Sequence, residues 1–481
     1  MDLDASGGQN YPKRCFSSLD VIIDSLQDML LAWIVFIFVA GCAFYDFKKT
    51  VIVWMACRLL FNPQVALRYA SPAMSLDFGV AILLIALFFI KGKRKSLTKE
   101  KFYLEPILIA TLASYLLSTL FSISLVGEGF RVLVKLVIMN FAILYVFQRV
   151  LRNSDDIRLF VKAMIIVTVI ISALGIFESI FHDNPYLDYI FFNSPQEGTE
   201  GRMYYIPPRI AGSLQMRYGL VRAYSTFGIH ISFGSACVFL LGFLLVIRKM
   251  RWLEINRWMM ITAIALAITG CITSNSKTAY LGMFVMLLLL VKPSQWLSYK
   301  TVLVIITAIL VVVVAYQYVP GYFDNIGSLF DKDLAEEGGG STVIARQRQL
   351  AVALEMFQQN PLLGNGPGSL TILRRIGHGS DILGAEGAHL SILPERGLIG
   401  YVVYLATFIY LFVTMRKIMP TFKIFIFLFA LFAMEIASGL RDMTLYWSLI
   451  IAIRKVYILD REKSPLKYVT NKSINKRFIH F

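Results

Sequence analysis

Apolar runs long enough to cross a lipid bilayer recur along this chain, and they restrict its fold more than any single motif does. Hydrocarbon offers no partner for backbone N–H and C=O groups, so a segment exposed to lipid must close its hydrogen bonds internally, as a helix. Hydropathy marks spans at 30–44, 78–90, 107–125, 132–147, 159–180, 226–247, 259–272, 279–291, 301–319, 398–414, 422–437 and 443–453, about twelve in all. Composition agrees, because 57% of the 481 residues are hydrophobic and only 16% are charged, unlike a soluble domain. The expected fold class is therefore all-α, a polytopic membrane protein with about twelve transmembrane helices.

The net charge of +16 raises the possibility of nucleic-acid binding. The basic residues instead sit in short connections between apolar runs, as the positive-inside rule expects, so a nucleic-acid partner is rejected. Lys91–Lys101, Arg149–Arg158, Arg248–Arg257, Lys292 with Lys300, Arg416–Lys423 and the tail from Arg454 all fall on alternate connections and define the cytoplasmic side. The segment 51–61 is also apolar, but its length is short for a core of about 30 Å. Lys48 and Lys49 favour the cytoplasm, which would require 51–61 to span and would put Met1 outside. The competing count leaves 51–61 out and keeps Met1 inside, and it is the one preferred here.

Both large polar connections, 182–225 and 320–395, then face outward. The chain divides into a polar N-terminal segment 1–28 with no apolar core of a signal peptide, a membrane domain 29–453 and a basic cytoplasmic tail 454–481. There is no internal repeat. Cys42, Cys57, Cys237 and Cys271 lie in or beside apolar runs, so neither a disulfide framework nor a cysteine metal site is expected.

A connection as long as 320–395 is where chemistry is expected to reside. Three successive glycines at 338–340 precede an amphipathic segment in which Val343, Leu350, Leu354 and Phe357 share one helical face. Arg346 falls at the edge of that stripe and Arg348 on the far side. The turn Asn360-Pro361-Leu362-Leu363-Gly364-Asn365-Gly366-Pro367-Gly368 lacks the lysine and preceding strand of a phosphate loop, so nucleotide binding is discounted. His389 stands just ahead of a span, with Glu386 one turn earlier. Its imidazole suits a general base on a hydroxyl, or else a hydrogen-bonded interfacial histidine.

In the first outer connection Arg202, Arg209, Arg217 and Arg222 precede a span. They suit either anion recognition or simple snorkelling to the interface. Lys277 sits in a hairpin so tight that its ammonium must lie near membrane level, where the same two readings stand. No His-Glu-x-x-His and no clustered carboxylates argue for a metal.

Four pieces, in order, resemble the O-antigen ligase/polymerase superfamily of bacterial inner-membrane glycosyltransferases. Arg222-Ala223-Tyr224-Ser225-Thr226-Phe227-Gly228 is similar to its Arg-x-x-Gly-Thr-Phe ahead of a span, and Ser274 to Gly282 to its Thr-x-Ser-Arg-x-Ala-x-Leu turn. Arg346 to Gly368 is similar to its Arg, then Glu, then Asn/His-Pro-Leu-x-Gly-x-Gly, and His389 to Gly400 to its His followed by Glu-x-Gly-Leu-Ile-Gly. Two departures stand out. The turn arginine is Lys277, which keeps charge but loses the bidentate fork. His389 lies about three residues closer to Glu395 than usual, nearly one helical turn, and the usual register would put Glu386 in the histidine's slot.

The resemblance implies a donor glycan linked by diphosphate to undecaprenol, and an acceptor hydroxyl on a glycan or on lipid A core. It implies inversion at the anomeric carbon, with neither cofactor nor metal where two cations neutralise the diphosphate. Arg222, Arg346 and His389 are the implied catalytic residues, and Lys277, Arg217, Arg209 and Glu386 the implied substrate-binding ones. Membrane lipids and a chain-length regulator are implied partners. The roomy outer connection favours a polymerase over a ligase. A flippase or transporter would concentrate ionisable groups near the midplane, often in repeated halves, and this chain keeps them at one surface.

Overall fold

The computed structural model describes residues 18–61, 65–67, 74–92, 101–122, 126–187, 216–290, 320–328, 333, 343–370, 387–438 and 443–463. Among these the protein is a bundle of helices, with only two pairs of two-residue strands. Helix α1 (Ser18–Tyr45) is followed by α2 (Phe47–Cys57), which continues into a 3-10 turn Arg58–Leu60. A strand pair β1 (Ala66–Leu67) and β2 (Met74–Ser75) leads to α3 (Leu76–Gly92) and α4 (Glu105–Phe121). Then come α5 (Val126–Leu136), a π turn Val137–Ala142, α6 (Ile143–Val150) and α7 (Ser154–Phe181). The pair β3 (Met216–Arg217) and β4 (Leu220–Val221) precedes α8 (His230–Ile247), α9 (Arg257–Thr273) and α10 (Lys277–Leu287). The remainder is α11 (Pro320–Gly327), α12 (Val343–Gln359), α13 (Ala388–Met415), α14 (Thr421–Ser438) and α15 (Met443–Lys463).

Local chemistry sets the helix starts. Asn153 and Asp156 form a reciprocal capping box at α7, Asn256 caps α9, and Asp46 accepts from the Lys49 N–H at α2. Helix α8 is apolar on every side and buried along nearly its whole length, so it forms the axis about which α7, α9, α10, α14 and α15 pack. Small residues let these helices approach closely: Gly270 faces Cys237 and Ser172, and Gly282 faces Val238 and Met434. Outward faces carry Ile37 and Phe38 on α1, Phe89 on α3, Phe121 on α4 and Ile409 on α13, all exposed. Apolar side chains on the outside of a well-packed bundle suit a lipid surround. Among the described residues four helices, within 129–150, 154–181, 230–247 and 388–415, are long and apolar enough to cross a membrane by length and composition.

Hydrogen bonds and ion pairs identify two ends. At the basic end Lys48 pairs with Asp156 at 2.6 Å, and Lys91 Nζ donates to the Ala43 and Phe44 carbonyls at 3.1 and 2.8 Å. Gln148 bonds the Lys101 carbonyl there, and Tyr103 meets Thr414. At the opposite end Thr226 Oγ1 donates to the Leu59 carbonyl and Tyr186 to the Leu60 carbonyl, both at 2.7 Å, while Arg58 pairs with Asp77 at 2.6 Å.

The preferred count leaves 51–61 out, and α2 with its 3-10 turn runs from Lys48 at the basic end to Leu59 at the other. Fourteen residues of rod at the helical rise reach about 20 Å, less than a hydrocarbon core of about 30 Å, and the segment is not among the helices long and apolar enough to cross a membrane. Helix α1 ends at the basic end, and Phe36 beside Gly79 and Leu67 shows that it comes from the opposite one. At the other terminus α15 continues through Arg454 to Lys463, with Lys455 and Asp460 buried, so the first part of the basic tail belongs to the bundle. The expected span 301–319 lies outside the described residues.

In a background with the five native cysteines replaced, K49C and K249C should react with an impermeant maleimide from the same face of sealed membranes, and L362C from the other. Labelling of K49C and L362C from one face would contradict the end-to-end course of α2.

Candidate functional site

The end opposite the basic connections is built from non-helical backbone. The β3–β4 hairpin turns through Tyr218 (φ 52°) and Gly219 (φ 74°), both left-handed as a tight hairpin requires. The chain that leaves it, Arg222 to Thr226, is tied at nearly every step. Ala223 N donates to the Thr273 carbonyl at 3.0 Å. Tyr224 N and Ser225 N both donate to Glu178 Oε2 at 2.8 Å. Ser225, held at φ 54°, donates from Oγ to the Ile171 carbonyl at 2.6 Å, and its own carbonyl accepts from Asn184. Burial pushes the Tyr224 phenol well above its ordinary range, with the nearby Arg222 guanidinium opposing the rise and Glu178 adding to it. Arg222 itself is half-buried.

The bond to Thr273 carries this segment to the second candidate. Ser274, Asn275 and Ser276 are buried, Asn275 is left-handed at φ 48°, and Lys277 opens α10 half-buried. Asn325 of α11 donates to Asn275 Oδ1 at 2.6 Å, Tyr280 donates to the same oxygen at 3.0 Å, and Gly321 presses against the Tyr218 carbonyl. A lysine at the first position of a helix stands beside backbone N–H groups that also favour an anion.

His389, half-buried, is the second residue of α13. Gly387 before it has φ 123°, and any Cβ there would strike the Ile436 carbonyl at the end of α14. Helix α14 in turn packs on α10 through Met434 and Gly282. The Arg222 segment, the Lys277 turn and the start of α13 are thus brought to one end of the bundle, the last two flanking the end of α14.

The glycine-rich turn proves to be a clasp. α13 is broken at Gly397 (φ 60°, ψ −162°), just after Pro394. The turn supplies the backbone partners that the break leaves open. Asn365 N donates to the Pro394 carbonyl at 2.8 Å and Gly366 N to the Glu395 carbonyl at 3.0 Å, while Leu398 N donates to the Pro361 carbonyl at 2.8 Å. Glu395 accepts from Gly368 N, and Arg396 stacks its guanidinium 4.3 Å from the Tyr115 ring centroid. Two of the four family-like pieces are therefore halves of one joint. Gly364 and Gly397 approach so closely that a Cβ on either would meet backbone of the other strand.

The stripe expected on α12 is displaced. Leu350 and Leu354 are exposed, while Gln349, Ala353 and Met356 are buried, with Met356 against Leu370 just after the clasp. The clasp, rather than the most apolar face, decides which side turns inward. Arg348 is exposed as expected. Arg346 lies in the first turn of α12 and Arg217 in β3, but their side chains lie outside the described residues, as do Arg209 and Glu386 altogether. Sequence reasoning missed Glu178, although an acid inside the predicted span 159–180 was a usable signal. Among the described residues no group of three His, Cys, Asp or Glu could hold a metal ion.

A helical bundle with apolar outer faces, in which the Arg222 segment, the Lys277 turn and the start of α13 share one end, suits a membrane protein. Residues 262–405 match the O-antigen ligase family, which supports the superfamily that the motifs resemble. The matched region runs from α9 into α13 and contains the Lys277 turn, the clasp and His389. No curated protein matches the chain.

G364A and G397A should each destabilise the protein by about 2 kcal/mol or more, since both glycines are left-handed and abut backbone. G41A, with nothing within 4 Å, should leave the thermal midpoint unchanged or raised. Thermal unfolding in detergent makes the comparison.

Proposed function

We propose that the chain is a polysaccharide polymerase of the bacterial inner membrane, spanning it about twelve times. It transfers undecaprenyl-diphosphate-linked glycan onto an acceptor sugar hydroxyl at the periplasmic face. The observation that carries this reading is the gathering of the Arg222 segment, the Lys277 turn and the His389 helix start at the end opposite the basic connections. The family match over 262–405 supports the reaction class.

In the proposed step, Arg222 and Lys277 hold the diphosphate and Arg346 assists there or orients the acceptor. Arg209, Arg217 and Glu386 are assigned to substrate binding on the motif resemblance alone. The acceptor oxygen attacks the anomeric carbon as His389 takes its proton. The bond from that carbon to the diphosphate oxygen breaks, and its electron pair leaves with the diphosphate, whose added charge the cations stabilise. One displacement inverts the configuration. Lys277 serves as a compact charge where a fork is usual, so the bidentate share falls to the arginines.

A second reading, transfer of finished glycan to lipid A core or protein, is favoured by the ligase description of the matched family. Donor and leaving group are the same, and only the acceptor differs. Deleting the gene and running surface glycans on a gel separates the two: single-repeat product marks a polymerase, and long chains left on the lipid carrier mark a ligase. R222A and H389A should each lower product by about 10²-fold or more in that assay. Wild-type polymer in both variants would remove these residues from the mechanism.

A further inference from the structure

Glu178 is a charged group that none of the family-like pieces contains. It lies in the last turn of α7 and is 1% exposed. A carboxylate there faces the negative pole of its own helix, and burial adds to the cost. A buried charge so placed is weak grounds for a purely stabilising role. Its Oε2 accepts from Asn184 Nδ2, Tyr224 N and Ser225 N, all at 2.8 Å. Two of those donors follow Arg222 by two and three residues. Ser225 also carries backbone strain at φ 54°, which persists only where the surroundings over-determine it.

We propose that Glu178 is a positioning residue, whose carboxylate locks the backbone after Arg222 and so aims the guanidinium at the diphosphate of the lipid carrier. The inference rests on the reading of Arg222 as a diphosphate ligand. A hydrogen bond from each of two consecutive N–H groups fixes the chain direction there, while Ala223 N on Thr273 fixes its distance from the Lys277 turn.

The test uses the full-length chain in detergent and undecaprenyl diphosphate as the probe, comparing wild type, E178Q, R222A and the double variant. E178Q should weaken binding about tenfold, and the double variant should bind no more weakly than R222A alone, since Glu178 acts through Arg222. Wild-type affinity in E178Q, or losses that multiply in the double variant, would overturn the positioning role. Should E178Q show no cooperative unfolding transition, N184A replaces it. N184A removes one donor to the carboxylate and one to Ser225, and it should weaken binding only when Arg222 is present. Unchanged binding in N184A would overturn the proposal equally. Wild-type binding by R222A would sink the diphosphate reading itself, whereas a normal E178Q beside a defective R222A sinks the positioning role alone.

Discussion

Backbone that leaves a helix inside an apolar bundle must find its hydrogen bonds elsewhere, and this requirement shapes the functional end of the molecule. Each break has a named substitute partner. Glu178 and the Ile171 carbonyl serve the chain from Arg222 to Thr226. The glycine-rich turn serves the break in α13. In the middle of the bundle, the π turn after α5 directs the Met139 carbonyl and the Asn140 side chain to Thr444 Oγ1. Among the described residues these three breaks are covered by protein, and the first bears a residue assigned to chemistry, Arg222.

Much of the architecture was legible from hydropathy and charge. The apolar runs 159–180, 226–247 and 259–272 fall in the helices α7, α8 and α9, the first two of which are long and apolar enough to cross a membrane. Alternation of basic connections matched the end at which Lys48, Lys91, Gln148 and Arg158 make their contacts. The length of 51–61 does not reveal that Leu59 and Leu60 are met by Thr226 and Tyr186 from a distant part of the chain.

The joinery of the proposed site is what sequence does not carry. Arg222, Lys277 and His389 were singled out separately, but what relates them is tertiary: a bond to Thr273, a glycine against Met434, another against Ile436. The face of α12 was misread by about one residue, because apolar spacing took Leu350 and Leu354 for the inward side. Docking on the clasp turns Ala353 and Met356 inward instead. Periodicity weighs hydrophobicity, whereas the fold here obeys a backbone joint whose halves are about thirty residues apart.

That joint has a consequence for tolerance to change. Gly364 and Gly397 each abut backbone of the other half, so neither position admits a side chain without displacing its partner. A substitution in one half is therefore felt in the other, and the register of the α13 start that carries His389 rests on backbone hydrogen bonds rather than on interchangeable side chains.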